Sequence, residues 1–414
     1  MESNTTQTGK GKKGVFSGQN LFLLVALSLA HMLMHCFQQG WYIILPSIKE
    51  TFGLTDIQYG AIESARSAAN TAVQIPSGAV ADILRKQWVV VAAGGLVGLG
   101  LAYIVLGLAP NYGTVLLAAV LIGVGIALWH PSALSVLSSR LAAKRGLAIA
   151  VHGMGGNLGN TIGPLMLGLI IGTIAWQTAS WMLAIPLIVL AVVLWIVLRK
   201  IPGVEGEKVG AKEYFGTVLG LLKNKSMVLL VISNGVRAMG TSAVFAFFSL
   251  YCREDLGFGD AKVGVFYMLM MASGIASQPF LGYLSDRFGR RAVLIPSITL
   301  LGVFTFLLAV SGGGAWLALV AICVGLFIYA VGAIMQAASM DVTPARTGGT
   351  TIALIMGSSA LFMIPSPTIA GWISESFGTP TVFIYSGSMF VLSAIVLLLL
   401  PKDHKKPAGA VRHP

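Results

Sequence analysis

Twelve apolar stretches, each about long enough to cross a bilayer, fill the chain from Asn20 to Leu400, and one long polar break, Ile201 to Lys225, divides them six and six. Spanning hydrocarbon as a helix takes roughly 20 predominantly apolar residues. Only helices or closed barrels satisfy every backbone polar group at that depth. These runs are too long and too uniformly apolar for the alternating pattern of barrel strands. The chain is therefore expected to be an all-α membrane protein of twelve transmembrane helices. Its parts are a tail over 1–19, a six-helix bundle over 20–200, a linker over 201–225, a second six-helix bundle over 226–400 and a tail over 401–414.

Only 10% of the residues are charged and 56% are hydrophobic, too few charges to clothe a soluble globule of this length. The net charge of +12 raises the question of a nucleic-acid partner, and the positions of the charges answer it. The spans read as 20–45, 57–80, 88–108, 112–137, 146–173, 177–198, 227–251, 262–284, 292–310, 315–338, 349–373 and 381–400. With the N-terminus in the cytoplasm, Lys10, Arg85, Lys86, Arg140, Lys144, Arg145, Arg199, Lys225, Arg287, Arg290, Arg291, Arg346 and Lys402 fall inside, whereas Lys49, Arg253 and Lys262 fall outside. That asymmetry is the positive-inside rule. It places both termini in the cytoplasm of a multi-pass protein of the cytoplasmic membrane and calls for no nucleic acid.

Residues 1–19 are polar and the next apolar run exceeds a signal h-region, so the first span is expected to stay in the mature protein. Cys36, Cys252 and Cys323 lie in different spans without a spaced framework, which suggests neither a disulfide nor a metal site. Within the linker, Val209, Tyr214, Phe215, Val218, Leu219 and Leu222 recur near helical spacing among lysines. That pattern fits a short amphipathic helix on the inner membrane surface that tethers two rigid halves.

The loop after span 8 reads Gly282-Tyr-Leu-Ser-Asp286-Arg287-Phe-Gly289-Arg290-Arg291, and the loop after span 2 reads Gly78-Ala-Val-Ala-Asp82-Ile-Leu-Arg85-Lys86. A glycine for a tight exit, an aspartate near a cation or a helix terminus and pairing arginines recur at matching places in two halves. With twelve spans and a long central loop, this repeat resembles the major facilitator superfamily. The resemblance implies two pseudo-symmetric six-helix bundles that alternate access to a central site. It also implies cytoplasmic latches made by Asp286, Arg287 and Arg290 with Asp82 and Arg85, holding the bundles together in the outward-open state. The first copy lacks the glycine before its basic pair.

Span 5 carries Gly155-Gly156-Asn157-Leu158-Gly159-Asn160-Thr-Ile-Gly163-Pro164. Clustered glycines make a flat face for a neighbouring helix, and Pro164 permits a kink. The run looks like the glycine-proline element of superfamily exporters. Gly159, Gly163 and Pro164, with Pro365 and Pro367 on span 11, are the hinge candidates. Together with Trp129-His130-Pro131-Ser132 and Arg145-Gly146-Leu147-Ala148, it is similar to the fosmidomycin-resistance branch. That branch implies export of small, often anionic or phosphonate-like compounds. The Gly-rich asparagine element is also similar to nitrate porters, which stand as a rival.

Ionisable residues at bilayer depth are costly and therefore candidates for function. Arg66 on span 2 and Arg237 on span 7 supply one guanidinium per half, a pair that can clamp an anion. His35, Gln38, Asn157 and Asn234 complete the candidate substrate site. Glu63, His31, His35 and His130 are candidates for proton coupling, Glu63 because it sits three residues from Arg66 on one helix face and the imidazoles because they titrate near working pH. His35 and Glu63 stay open as the carrier. The chain has no catalytic constellation, cofactor motif or metal-ligand spacing, so an enzyme is not expected. The expected function is proton-coupled export of a small organic anion by a monomer. Uptake or exchange of a small inorganic or carboxylic anion is the alternative within transport, and a channel, receptor or scaffold the alternative outside it.

Overall fold

A computed structural model describes residues 18–83, 88–201, 211–344 and 347–401, without the side chains of 75–83 and 211–215. Among these residues the chain is helical throughout, with no strand. The first half comprises α1 (Gly18–Phe52), α2 (Asp56–Ile83), α3 (Trp88–Gly107), α4 (Tyr112–Arg140), α5 (Arg145–Ile171) and α6 (Trp176–Leu198). After the short α7 (Ala211–Leu221) come α8 (Lys225–Glu254), α9 (Asp260–Phe288), α10 (Arg290–Leu308), α11 (Ala315–Asp341), α12 (Gly348–Met363), α13 (Ser366–Phe377) and α14 (Pro380–Leu398). Taking α12 and α13 as one, ten described spans are long and apolar enough to cross a membrane. The equally long α2 and α5 are the ones that carry Glu63, Arg66 and the glycine-asparagine run.

Local chemistry sets the helix ends. Asn111 caps α4 by accepting from the Thr114 backbone N–H at 3.0 Å, and Asn224 caps α8 by accepting from Ser226 at 2.9 Å, each satisfying an orphan donor. Gly289 ends α9 and opens α10 at φ 99°, a left-handed conformation that favours glycine. A Cβ added at Gly282 would meet nothing within 4 Å. The glycine that the loop motif requires is thus Gly289, and the expected crowding at Gly282 is not found. The span expected over 349–373 is two helices, because Pro365 and Pro367 remove two backbone donors within three residues where α12 gives way to α13.

Packing repeats between halves. In the first, α1 lies on α5, α2 on α4 and α3 on α6; in the second, α8 lies on α12, α9 on α11 and α10 on α14. The α1–α5 seam is glycine-built. Side chains at Gly155, Gly159 and Gly163 would run into the α1 backbone at Ser28, Met32 and Cys36, so the four-residue spacing turns one bare stripe of α5 toward α1.

Two seams join the halves, α5 with α9 and α2 with α13, and both use glycine reciprocally. Gly168 abuts the Asp260 carbonyl and Gly264 that of Pro164, while Gly60 abuts the Pro367 carbonyl and Gly371 that of Asp56. The hydrogen bonds and ion pairs found between described residues of the two halves run from the depth of Gln39 to the face opposite the basic loops. Lys49 bonds Glu254 at 2.7 Å and Arg253 bonds Glu50 at 2.6 Å, a reciprocal cross between the Lys-Glu pair ending α1 and the Arg-Glu pair ending α8. Deeper, the Tyr59 hydroxyl donates to the Ala246 carbonyl at 2.6 Å and Thr368 to Ser64 at 2.8 Å. This acidic face is closed.

Two outcomes follow from these seams. Gly159→Leu forces a side chain into Met32 and Cys36 at an overpacking cost of at least about 1–3 kcal/mol, whereas Gly153→Ala, which meets nothing within 4 Å, is tolerated; thermal unfolding in detergent distinguishes them. Lys49→Glu weakens the acidic-face closure, each such exposed pair contributing about 0.2–1 kcal/mol. A cysteine placed at Gln39, with the native cysteines replaced, is then labelled faster from that face.

Candidate functional site

Glu63 and Arg66 sit one helical turn apart on α2, both buried. Arg66 donates from Nε to Glu63 Oε2 at 2.8 Å and from Nη2 to Oε1 at 2.6 Å, the bidentate geometry that gives the strongest ion pairs. Nη2 also donates to the Tyr42 hydroxyl at 3.0 Å. The carboxylate further accepts from Trp41 Nε1 at 3.0 Å, Tyr42 at 3.1 Å and Ser67 at 3.2 Å. Gly123 of α4 lies against the Arg66 carbonyl, so α2 approaches α4 at this level with no side chain between them. The pair is neutral as a unit. Arg66 nonetheless borders a cavity of about 290 Å³ with His35, Gln38, Tyr42, Asn70 and Asn160.

Arg237 on α8 is the other half's guanidinium, and its surroundings differ in kind. Its Nε and Nη2 donate to Asn234 Oδ1 at 3.1 and 2.9 Å, and Nη1 reaches Thr241 Oγ1 at 3.4 Å. Asn234 is fixed in turn by donating to the Ile355 carbonyl at 3.2 Å and to Ser359. All these acceptors are neutral. Among the described residues no carboxylate pairs with Arg237, whose side chain borders a cavity of about 320 Å³ with Thr241, Gln278, Tyr329 and Gln336. A buried guanidinium without a countercharge carries a desolvation penalty of several kcal/mol.

Phe245 and Tyr329 line both cavities. Tyr42 stacks on Tyr267 at 6.0 Å between centroids, and Gln39 donates to the Tyr267 hydroxyl at 3.4 Å. Phe245 and Tyr329 thus form the wall shared by the cavities, with Tyr267 packed behind Phe245 and Tyr42. Phe245, absent from the candidates drawn from the sequence, sits two helical turns from Arg237 with no polar mark to single it out.

Four imidazoles gather behind the first cavity. His31 stacks on His152 at 4.1 Å, and His35 lies 4.4 Å from His31 and 5.5 Å from His130. His31 Nδ1 bonds the His152 carbonyl at 2.8 Å, and His35 Nδ1 bonds Asn160 Oδ1 at 2.8 Å. Asn160, not Asn157, therefore reaches the cavity wall. Helical geometry carries the signal: at about 100° per residue, Asn157 lies some 200° around α5 from Gly155, away from α1, whereas Asn160 lies beside the glycine stripe. Asn234 holds Arg237 rather than lining the cavity.

Of the latch residues, Asp82 (as a side chain) and Arg85 lie outside the described residues. Arg290 pairs with Asp286 at 2.5 Å and with Asp341 of α11 at 2.9 Å, contacts within the second half. Arg287 is exposed, its guanidinium 5.4 Å from the Phe288 ring. Among the hinge candidates, Gly159 and Gly163 pack within the first half, while Pro164 and Pro367 meet glycines across the two interhalf seams, and Pro365 marks the α12–α13 break.

The sequence pattern described as the Major Facilitator Superfamily matches residues 27–277 and 230–413. The fosmidomycin resistance protein of Escherichia coli is 24% identical over 392 residues, covering 92% of this chain and 94% of its own. The multidrug resistance protein MdtG of Yersinia enterocolitica is 25% identical over 259 residues, 57% of this chain and 61% of its own. Among solved structures, a bacterial homologue of the human lysosomal transporter Spinster superposes with a TM-score of 0.78 at 17% identity, covering 92% of this chain and 96% of that one. The nucleoside transporter NupG also gives 0.78, at 14% identity over 91% and 99%.

The Glu63–Arg66 geometry makes a stability prediction. Arg66→Met leaves the carboxylate buried and unpaired, a loss of about 3–5 kcal/mol, whereas the double replacement Glu63→Gln with Arg66→Met returns most of it. Melting temperatures of the purified variants in one detergent check the difference.

Proposed function

The chain belongs to the Major Facilitator Superfamily and is a membrane transporter, and we propose that its cargo is a small organic anion, exported by alternating access with proton coupling. The observation that carries the reading is Arg237. Its side chain borders a cavity and, among the described residues, meets only neutral acceptors. A carboxylate, phosphonate or phosphate supplies the absent countercharge, and charge-assisted hydrogen bonds of this kind contribute about 1.5–3 kcal/mol. Arg66 enters the site as half of a neutral pair whose side chain borders the first cavity. A two-arginine clamp therefore becomes one unpaired cation in the second half facing a switchable pair in the first. Gln38 and His35 on the opposite wall supply neutral polar groups. Export rests on the relatives whose names record resistance. The chain works as a monomer in the cytoplasmic membrane, both termini on the cytoplasmic side, with Asp286, Arg287 and Arg290 latching to the first half when the basic face closes.

Glu63 favours a second reading of the coupling. An anion that draws Arg66 away leaves the carboxylate without its countercharge, and a proton on Glu63 restores neutrality. Anion and proton then travel together, as in proton-linked uptake of a small carboxylic or inorganic anion.

Flux in proteoliposomes tests both. Arg237→Gln weakens uptake or efflux of labelled anions about 10- to 100-fold, the equivalent of the lost charge-assisted bonds; wild-type flux in that variant at normal expression contradicts the anion site. Acidifying the outside accelerates efflux of preloaded anion if protons exchange for it and slows efflux if the two move together.

A further inference from the structure

Two helices, α1 with His31 and His35 and α4 with His130, bring the three imidazoles into one group, with a ring nitrogen from each within 4.8 Å of the other two. The hydrogen bonds around them decide which nitrogens carry lone pairs. The His152 carbonyl and Asn160 Oδ1 accept only, so His31 and His35 each donate through Nδ1–H and present Nε2 as a lone pair. An imidazole oriented through one nitrogen by a carbonyl oxygen, with the other left open, is the arrangement that metal-ligating histidines adopt. His35 Nε2 and His130 Nδ1 are buried with no hydrogen-bond partner, although buried polar atoms are nearly always paired.

The room for the rings comes from α5. A Cβ at Gly156 would lie 2.6 Å from the His31 ring, and one at Gly159 would lie 2.8 Å from His35 Cβ. The same glycines that seat α5 on α1 thus leave the histidines in place. No Asp or Glu belongs to the group, so the donor set is all imidazole nitrogen. That set suits zinc, nickel, cobalt and copper and not magnesium or calcium, which demand oxygen.

We infer that His31, His35 and His130 form a binding site for a divalent transition-metal ion of borderline softness, with a fourth coordination position open to the central cavity through His35. Metal–nitrogen bonds of about 2.0–2.1 Å in a tetrahedron set the donor nitrogens about 3.3 Å apart. Closing from 4.8 Å takes about 1.5 Å of ring movement, which rotation about χ2 of broad-welled imidazoles supplies. Water or an anion in the cavity completes the tetrahedron.

The test uses the full chain in detergent with the tail residues His404 and His413 replaced by Gln and prior chelator treatment. Titration with Co²⁺ yields the intense visible ligand-field bands of four-coordinate cobalt, saturating at one ion per chain and displaced by Zn²⁺. His35→Gln and His130→Gln each abolish the bands. Asn160→Ala, which removes only the orienting acceptor, weakens binding about 10- to 100-fold. Featureless or weak six-coordinate spectra in the histidine-intact chain overturn the site, a result that needs no variant to fold. So does unchanged affinity in His35→Gln and His130→Gln chains that elute as single species.

Discussion

A buried guanidinium held, among the described residues, by neutral acceptors alone is the constraint on which the functional architecture turns. Hydrocarbon offers no water to a charge, and a buried cation without a countercharge costs several kcal/mol. The first half resolves its own arginine internally, with Glu63 meeting Arg66 through two hydrogen bonds and Trp41 and Tyr42 completing the carboxylate's shell. The second half does not. Asn234 orients Arg237 without neutralising it, so the two arginines, one with a carboxylate three residues away and one without, play unlike parts.

The rest of the molecule joins the two halves around that cation. Glycines at both interhalf seams let α5 reach α9 and α2 reach α13 at backbone contact. Such contacts form or separate without side-chain interdigitation, which suits bundles that rock. At the acidic face the Lys49–Glu254 and Arg253–Glu50 pairs bridge the halves. Each pair is individually weak and partly exposed, so together they bias a conformational equilibrium without locking it.

The apolar runs made the helices legible because spanning hydrocarbon demands them, and the spacing of Glu63 and Arg66 made their pairing legible because three residues bring side chains onto one face. The break between α12 and α13 was not. Pro46, Pro131, Pro164, Pro186, Pro279 and Pro296 all sit inside continuous helices, so a proline in an apolar run does not by itself announce a break. Contacts such as His35 with Asn160, 125 residues apart, depend on how helices are rotated in the bundle. The glycine stripe of α5 carries that rotation, and its phase sets Asn160 beside the stripe and Asn157 away from it. Lys49-Glu50 and Arg253-Glu254 recur at equivalent ends of spans 1 and 7 and could have been paired by the same symmetry that revealed the loop motif.

Locating a bound anion addresses the account at its centre. A small phosphonate carrying one bromine, soaked into crystals of the protein and found by anomalous scattering, is expected in the cavity bounded by Arg237, Gln278 and Gln336, with its oxygens in hydrogen-bonding range of the Arg237 guanidinium. A bromine peak elsewhere in the bundle, with Arg237 still bonded only to Asn234 and Thr241, contradicts it.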